Sequence, residues 1–373
     1  MNKKEKTKLI ICIVLALLLA IGGFAGYRIY SEQQRQNALI EQFSAFSEYN
    51  SDLNKRYIAY YDDHKEIDMA EILALVNNGV DESGVEYDSR IYQFIQTGEY
   101  NGDLLQRYLN YSNQYNAPAN HVVLLVNNNA DNYRVVYDDR LKEIMEDRYF
   151  LASRAKRYVD YDVANEGLSV RDLVASVNCN LDIEPFSGKL EANLKDGYQV
   201  LVNKYYNLPS DYTPENLVDV DEAYCSEKAR MEATAYENLV RMINDCKTEA
   251  GIRVRINGDN GYRSYIYQQT VYDYYCKMLG PEKGEARAAH PGYSEHQTGL
   301  AVDLSASGNN FSWIIANCHK YGFILRYPEE STGLTGYTFE RWHYRYVGEE
   351  VATYIHENGI TYDEYYAYFI LQH

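Results

Sequence analysis

Histidine and carboxylate side chains near the C-terminus are spaced as the ligands of a catalytic metal ion would be. His296 and Asp303 lie seven residues apart in GYSEHQTGLAVDLS, and His343 follows in ERWHYRY. Two histidines and one aspartate leave a fourth coordination position open, which is typical of catalytic zinc. Glu340 precedes His343 by three residues, close enough for its carboxylate to reach water at that position. A buried, hydrogen-bonded histidine and a solvated aspartate are the alternatives at this point.

The run LAVDLS at 300–305 predicts a strand with one apolar face and one small or polar face. Its leucines and valine share the first face, because side chains alternate between the two faces of a strand. Asp303 shares the other face with an alanine and a serine, which leave room for a ligand. The Thr-Gly pair before the run permits a turn that returns His296 to this face. In WHYRY, the same alternation places His343 on one face of the strand and the tryptophan and tyrosines on the other face.

The elements that would hold these residues mix helices with short strands. Helices are expected at 226–249, from Ser264 onward and near 311–321, and a strand is expected at 253–256. This order lacks the regular alternation of strand and helix that builds parallel sheets. The C-terminal part is therefore expected to be an α+β domain.

Three motifs together resemble a known family. G-Y-R-S-x-x-x-Q at 261–268, H-x6-D at 296–303 and E-x-W-H at 340–343 resemble the VanY-type branch of peptidase family M15, the zinc D,D- and L,D-carboxypeptidases. The resemblance covers about residues 195–373. It implies a small antiparallel sheet with flanking helices, one zinc ion per chain, and cleavage of peptidoglycan stem peptides.

The resemblance also implies a role for each matching residue. It implies three zinc ligands: His296, Asp303 and His343. Glu340 is then the catalytic base, and Arg263 contributes both to catalysis and to substrate binding. Further substrate-contacting residues are expected to be Gln268 and Ser294.

The expected activity is zinc-dependent removal of the terminal D-alanine from peptidoglycan stem peptides or their precursors. Two alternatives within the same family are an L,D-carboxypeptidase and a cell-wall endopeptidase. A third alternative is a wall-anchored binding module with a structural or inactive metal site. The presence of Glu340 argues against the binding module, because a closed structural site needs no base.

Composition limits the other possibilities. The chain has 373 residues, enough for about two domains. Its net charge of −18 argues against a nucleic-acid partner, since such proteins carry a basic surface. Six cysteines include no C-x-x-C pair, so scattered and mostly buried thiols are expected rather than a zinc knuckle.

The N-terminus predicts a membrane anchor. Residues 1–8 carry four lysines, and residues 9–27 carry no charge. About 20 apolar residues span the hydrocarbon core, and flanking lysines stay on the cytoplasmic side. A single-pass protein is therefore expected, with its catalytic domain outside the cell and facing the wall. A cleaved signal peptide is the alternative, although Ala20-Ile21-Gly22 matches a cleavage site only weakly.

Between the anchor and the C-terminal domain, the sequence repeats itself. A polar stalk at 28–52 precedes three repeats of about 50 residues at 53–187. Each repeat has an Arg-Tyr-x-x-Tyr motif, a later Val-Asn pair and then an aspartate; these aspartates are Asp81, Asp131 and Asp182. Paired short helices are expected, although HVVLLVN could form a strand. The region would serve as a spacer or as a wall-binding module.

Overall fold

The structure is a computed structural model. It describes residues 3–129, 135–225, 227–258, 260–285 and 287–371. Contacts between these residues divide the chain into two compact units, Met1–Lys142 and Glu143–His373. The residues of the predicted third repeat thus belong to the same compact unit as the predicted peptidase domain. The predicted domain boundaries at 187 and 195 stay a prediction.

The first unit begins with one long helix, α1 (Lys3–Phe43). Its part Ile13–Phe43 is long and apolar enough to cross a membrane, and its most apolar 18-residue window is exposed. The end of the helix packs against the following region, where Leu39 and Phe43 are buried. A signal sequence near an N-terminus can have a similar apolar composition. Helix α1 has no break at the end of the predicted span, 9–27, and it extends through much of the predicted stalk, 28–52.

Short helices form the region that follows, which confirms the helical prediction for it. They are α2 (Asn54–Asp63), α3 (Met69–Asn77), α4 (Ser89–Ile95), α5 (Leu105–Tyr115), α6 (Ala119–Asn128), α7 (Asp139–Met145), α8 (Ala155–Ala164) and α9 (Val170–Asn178). The run HVVLLVN lies in α6, so the strand alternative for it is wrong. Consecutive helices pack in pairs, α2 with α3, α5 with α6 and α8 with α9.

One set of side-chain contacts recurs in this region. A buried tyrosine hydroxyl donates to an asparagine amide oxygen in three places: Tyr57 to Asn77, Tyr108 to Asn127 and Tyr158 to Asn178. Ion pairs recur in two places: Arg56 with Asp81 and Arg157 with Asp182. Asp131 lies outside the described residues. The three-repeat organisation stays a prediction, and these contacts support it.

Besides α8 and α9, the second unit contains the strands and the remaining helices. The strands are β1 (Leu190–Glu191), β2 (Tyr206–Asn207), β3 (Leu217–Asp219), β4 (Arg230–Glu232), β5 (Val254–Ile256), β6 (Ala301–Ala306), β7 (Phe323–Leu325) and β8 (His343–Tyr346). The helices are α10 (Ala233–Ala250), α11 (Tyr265–Leu279), α12 (Pro281–Glu285), α13 (Ser312–Asn317), α14 (Thr332–Thr335), α15 (Glu349–Asn358) and α16 (Tyr362–Phe369).

The central feature of this unit is a four-stranded sheet in the order β5-β6-β8-β7, in which all neighbouring strands are antiparallel. This confirms the predicted small antiparallel sheet of an α+β domain. Two small pairings accompany it: β1 with β2 is parallel, and β3 with β4 is antiparallel. The helix predicted at 226–249 begins only at Ala233, because the residues before it pair as strand β4.

The apolar face of the sheet packs against α10 in the core of the unit. Leu300, Val302 and Leu304 are at most 4% exposed and share this core with Leu239 and Met242 of the helix. The predicted alternation along LAVDLS is therefore confirmed for its apolar face. Because the apolar face is committed to the core, the opposite face of β6 remains for the polar residues that line the site.

The cysteines agree with the prediction of mostly buried thiols. Cys179, Cys225, Cys246 and Cys318 are buried and free, and Cys276 is half-buried and free. Burial raises the pKa of the Cys318 thiol to about 12, so this thiol stays protonated at neutral pH. None of these five takes part in the site described next.

Candidate active site

His296 is held in a tight 3-10 turn, Glu295–Thr298, that precedes strand β6. The turn ends at Gly299, whose φ of +71° favours glycine, and a Cβ there would lie 2.8 Å from a Leu217 methyl group. His296 Nδ1 donates to the carbonyl oxygen of Gly261 at 2.7 Å. Burial, aided by the nearby Arg263 charge, lowers the pKa of His296 to about 4. The ring is therefore neutral at pH 7, with a lone pair at Nε2.

Asp303 and His343 are brought together by the pairing of β6 with β8, in which they stand directly opposite each other. His343 Nδ1 lies 2.9 Å from Asp303 Oδ1, and His296 Nε2 lies 3.5 Å from the same oxygen. Burial alone would raise the pKa of Asp303, but the interactions with His296 and His343 hold it well below its usual range. The carboxylate is therefore ionised at neutral pH.

These three side chains have the donor set and the spacing of a zinc site. One ligand atom from each of His296, Asp303 and His343 lies within 4.8 Å of the other two, and all three residues are buried. Ligand bonds of about 2.0–2.1 Å in a tetrahedron separate ligand atoms by about 3.3 Å. The observed separations of 2.9 and 3.5 Å lie on either side of that value. The residues therefore fit the metal that the sequence motifs imply.

Glu340 lines the same cavity, next to the cluster. The amide of His343 donates to the Glu340 carbonyl oxygen at 3.1 Å, closing a short turn that carries the glutamate towards the site. Burial raises the pKa of Glu340 to about 6, although the nearby His343 opposes this shift. The structure thus places a carboxylate beside the three candidate ligands, as the E-x-W-H spacing predicted.

The predicted substrate-contacting residues also line this cavity. Arg263 Nη2 lies 3.0 Å from both His296 Nε2 and Asp303 Oδ2. The positively charged guanidinium of Arg263 therefore contacts two of the three candidate metal ligands. Arg263 Nη1 donates to Gln268 Oε1 at 3.2 Å, and Gln268 Nε2 donates to the Ala289 carbonyl at 2.8 Å. Gln268 thus orients the arginine. Ser294 is buried in the wall, two residues before His296.

The cavity that these residues enclose has a volume of about 420 Å³, within the range of about 300–1,000 Å³ that is usual for small-molecule sites. Aromatic side chains form much of the remaining wall; they are Tyr275, Tyr293, Phe311, Tyr327, Tyr337 and Trp342.

Known proteins are similar in sequence to the C-terminal half of the chain. The VanY family, described as D-alanyl-D-alanine carboxypeptidase, matches residues 228–349. Carboxypeptidase YodJ of Bacillus subtilis is 35% identical over 201 residues, which are 50% of this chain and 72% of YodJ. The chain belongs to the VanY carboxypeptidase family. It is accordingly an enzyme, and its motifs lie in the part that the family shares.

Two further proteins are similar to the same part of the chain. A D-alanyl-D-alanine carboxypeptidase of Enterococcus faecalis is 32% identical over 181 residues, which are 44% of this chain and 64% of the relative. The solved structure of the LD-carboxypeptidase LdcB is 35% identical, covers 46% of this chain and 87% of that chain, and has a TM-score of 0.43. Each of these matches covers less than half of this chain.

One further buried carboxylate, which the sequence motifs did not single out, contacts the candidate ligand His343. Glu295, next to His296, is 2% exposed and lies 3.3 Å from His343 Nε2. Both ring nitrogens of His343 thus face a carboxylate, Nδ1 that of Asp303 at 2.9 Å and Nε2 that of Glu295. Burial alone would lower the pKa of His343, but the hydrogen bonds to Asp303 and Glu295 raise it to about 9. A carboxylate that orients a metal-binding histidine is a recurrent device in zinc sites.

Buried arginines hold Glu295 in place. Arg326 Nε donates to it at 2.8 Å and Arg345 Nη1 at 3.2 Å, and both arginines are fully buried. Burial alone would raise the pKa of Glu295, but these two charges keep it well below its usual range. Arg326 also pairs with Asp363 of α16 at 2.7 Å. In the sequence, the only indication of this role was that Glu295 directly precedes the candidate ligand His296. A glutamate in such a position cannot be distinguished from an ordinary surface charge.

Proposed function

We propose that this VanY-family enzyme is a zinc-dependent D-alanyl-D-alanine carboxypeptidase that removes the terminal residue of peptidoglycan stem peptides. The observation that supports this most is the grouping of His296, Asp303 and His343 in one cavity, with Glu340 beside them. The family and the named relatives support the same reaction.

His296, Asp303 and His343 would hold one zinc ion per chain. When bound, zinc acts as a Lewis acid that polarises a carbonyl group and lowers the pKa of water towards about 7. The neutral His296 ring and the ionised Asp303 suit this cation, and His343 would release its Nδ1 proton on binding it. Glu295 would keep His343 in the ligand tautomer through its hydrogen bond to Nε2.

Glu340 would act as the general base and then as the general acid. Its carboxylate would accept a proton from the water molecule that attacks the carbonyl carbon of the scissile amide. When the C–N bond breaks, the same proton would pass to the leaving amine of D-alanine. The half-buried position of Glu340 on the cavity wall permits contact with both water and substrate.

Arg263 would bind the oxygen atoms of the substrate at the same place. A guanidinium group can stabilise the developing oxyanion or pair with the terminal carboxylate that marks a chain end. Gln268 would keep Arg263 oriented, through the hydrogen bond between their side chains. Ser294 would complete the wall on the His296 side of the cavity.

The protein would act at the outer face of the cell membrane. We propose that α1 anchors it as a single-pass protein, with residues 1–8 in the cytoplasm and the peptidase domain facing the cell wall. The three repeats would then hold the catalytic domain away from the membrane, either as a spacer or as a wall-binding module.

The test is the mass of products formed by the full chain in detergent. Incubated with zinc and a pentapeptide muropeptide, the protein should release one D-alanine and leave the tetrapeptide unchanged. Removal of D-alanine from the tetrapeptide would instead indicate an L,D-carboxypeptidase, and cleavage within the stem would indicate an endopeptidase. A folded, zinc-loaded protein that forms none of these products would contradict an enzymatic role and favour a binding module.

A further inference from the structure

A second cavity, of about 370 Å³, adjoins the first and shares Arg263 with it. Its wall consists of Asp219, Lys228, Arg230, Tyr262, Arg263, Ser264 and Tyr267. Three of these side chains are cations and one is a carboxylate. This is a positive site on a chain whose net charge is −18.

The close packing of two backbone segments creates this cavity. A Cβ at Gly261 would lie 2.3 Å from the Arg230 carbonyl oxygen, so only glycine lets the segment before α11 cross strand β4 here. The next amide, that of Tyr262, donates to the same carbonyl at 2.7 Å. The Arg230 guanidinium lies over the Tyr262 ring, with Cζ 5.1 Å from the ring centre. The Gly261 carbonyl also holds His296, so the same segment supports both cavities.

Arg263 is paired with Asp303 at 3.0 Å, but the other two cations of the second cavity lack carboxylate partners. Throughout the described ranges, neither Lys228 nor Arg230 forms an ion pair within 4 Å, although Asp219 stands opposite Arg230 in the pairing of β3 with β4. Arg263 Nε is buried and, among the described residues, has no hydrogen-bond partner, while its side chain is only 10% exposed. Unpaired positive charge around a cavity, together with an unused buried donor, indicates an anionic ligand.

The start of α11 adds to this positive field. Ser264 is the N-cap of this 15-residue helix, and its hydroxyl accepts from the amide of Tyr267 at 3.2 Å. Backbone N–H groups at a helix N-terminus favour negative charge. Ser264 lies in the wall of the second cavity, so the helix end borders the same cavity as Lys228 and Arg230.

We propose that the second cavity binds a carboxylate of the peptide substrate, on a residue that precedes the bond to be cut. This inference rests on the proposed carboxypeptidase function. Arg263 separates the two cavities, and its guanidinium already lies 3.0 Å from His296 Nε2 and Asp303 Oδ2. An extended peptide advances about 3.3–3.6 Å per residue, so a few residues suffice to reach past an arginine side chain. The scissile bond then lies at the cluster while an acidic side chain lies between Lys228 and Arg230.

The experiment compares two synthetic peptides that both end in D-Ala-D-Ala. One carries glutamate at the second residue before this pair, and the other carries glutamine there. The full-length enzyme with zinc should cleave the glutamate peptide with a kcat/KM about 10- to 100-fold higher, the range expected for a hydrogen-bonded ion pair. The double variant Lys228→Gln/Arg230→Gln should bring this ratio close to one.

Two further variants separate recognition of charge from an effect on folding. The control Lys247→Gln/Arg253→Gln removes the same number of charges from exposed positions outside both cavities and should keep the wild-type ratio. The reversal Lys228→Glu/Arg230→Glu should prefer a peptide with lysine at the tested position, a gain that an unfolded protein cannot show. Thermal unfolding and zinc content are measured for each variant.

The outcomes distinguish this inference from the function on which it rests. If the wild type cleaves both peptides equally well, the carboxylate site is overturned and the carboxypeptidase function stands. If discrimination persists in the Lys228→Gln/Arg230→Gln variant, the second cavity is not the site of recognition. If the zinc-loaded wild type cleaves neither peptide, both proposals fail.

Discussion

Asp303 and His343 stand opposite each other across the pairing of β6 with β8, and His343 Nδ1 lies 2.9 Å from Asp303 Oδ1. Opposite residues of an antiparallel pair keep their Cα atoms about 4.5–5.5 Å apart. The sheet, rather than a flexible loop, therefore sets the distance between two candidate ligands that lie 40 positions apart. Only His296 is held by a turn, and its ring is fixed by the Gly261 carbonyl.

Removing one ligand should abolish zinc binding. We expect Asp303→Ala to lower the zinc content of the purified protein from about one per chain to near zero, because three protein ligands leave no redundancy. Elemental analysis after dialysis measures this. Ser305→Ala is the matched control, since Ser305 is the next residue on the same face of β6 and is exposed. Normal zinc content in the Asp303 variant would remove this residue from the ligand set.

Replacing the proposed base should separate catalysis from metal binding. Glu340→Gln keeps the shape of the side chain but cannot accept the proton, so we expect unchanged zinc content and turnover lower by about 10²–10⁴-fold. Release of D-alanine from a D-Ala-D-Ala peptide measures the rate, and the exposed Glu330→Gln serves as control. An active variant, or one that is inactive only because zinc is lost, would show that Glu340 is not the base.

Glu295 should affect zinc affinity through His343. We expect Glu295→Gln to weaken zinc binding by about 10- to 100-fold, since it changes the hydrogen bond that orients a ligand. It should also lower the free energy of unfolding by about 3–5 kcal/mol, because Arg326 and Arg345 lose a buried counter-charge. Competition with a chelator and denaturant unfolding measure the two effects.

Asp363→Asn provides the comparison for Glu295. Asp363 pairs with the same Arg326 at 2.7 Å, but it lies on α16, and no contact with His343 is seen between the residues described. This variant should therefore lose stability while keeping its zinc affinity. An equal loss of affinity in both variants would mean that Glu295 acts through general stability and not through His343.

The thiols should differ strongly in reactivity. Burial raises the pKa of Cys246 to about 11 and that of Cys318 to about 12, so at pH 8 only roughly one Cys318 thiol in 10⁴ is ionised. Cys276 is the half-buried one among the cysteines with described side chains. We expect a thiol reagent to modify Cys276 well before Cys179, Cys246 or Cys318 under native conditions, as read by peptide mass spectrometry. Equal labelling rates would contradict the buried positions of these three.

Membrane topology can be tested on intact cells. Protease added to protoplasts should degrade the peptidase domain and leave a cytoplasmic marker protein intact, because the lysines at 3–8 should remain inside. Immunodetection of the C-terminal domain measures this. Protection of that domain, or a mature protein that starts beyond residue 20, would rule out the uncleaved outward-facing anchor.

Short-range patterns allowed several features of the peptidase domain to be predicted. The side-chain alternation of LAVDLS requires only the geometry of one strand, so the core positions of Leu300, Val302 and Leu304 could be predicted. The start of α11 near Ser264 could be predicted, and in the structure Ser264 is the N-cap of this helix. The start of α10 could not, because β4 forms only by pairing with β3 across the preceding loop.

The sequence by itself determined which side chains could bind a metal, through the residue types and spacing of H-x6-D and E-x-W-H. Only the tertiary structure decided which other side chains surround and orient these candidate ligands. Arg326 and Arg345 reach Glu295 from positions 31 and 50 residues away, and they turn an apparent surface charge into the partner of His343. Likewise, Arg230 and Arg263 border one cavity only because Gly261 lets two backbones cross. Hydrogen bonds and charges act over a few ångströms, so contacts between distant segments exist only once the chain has folded.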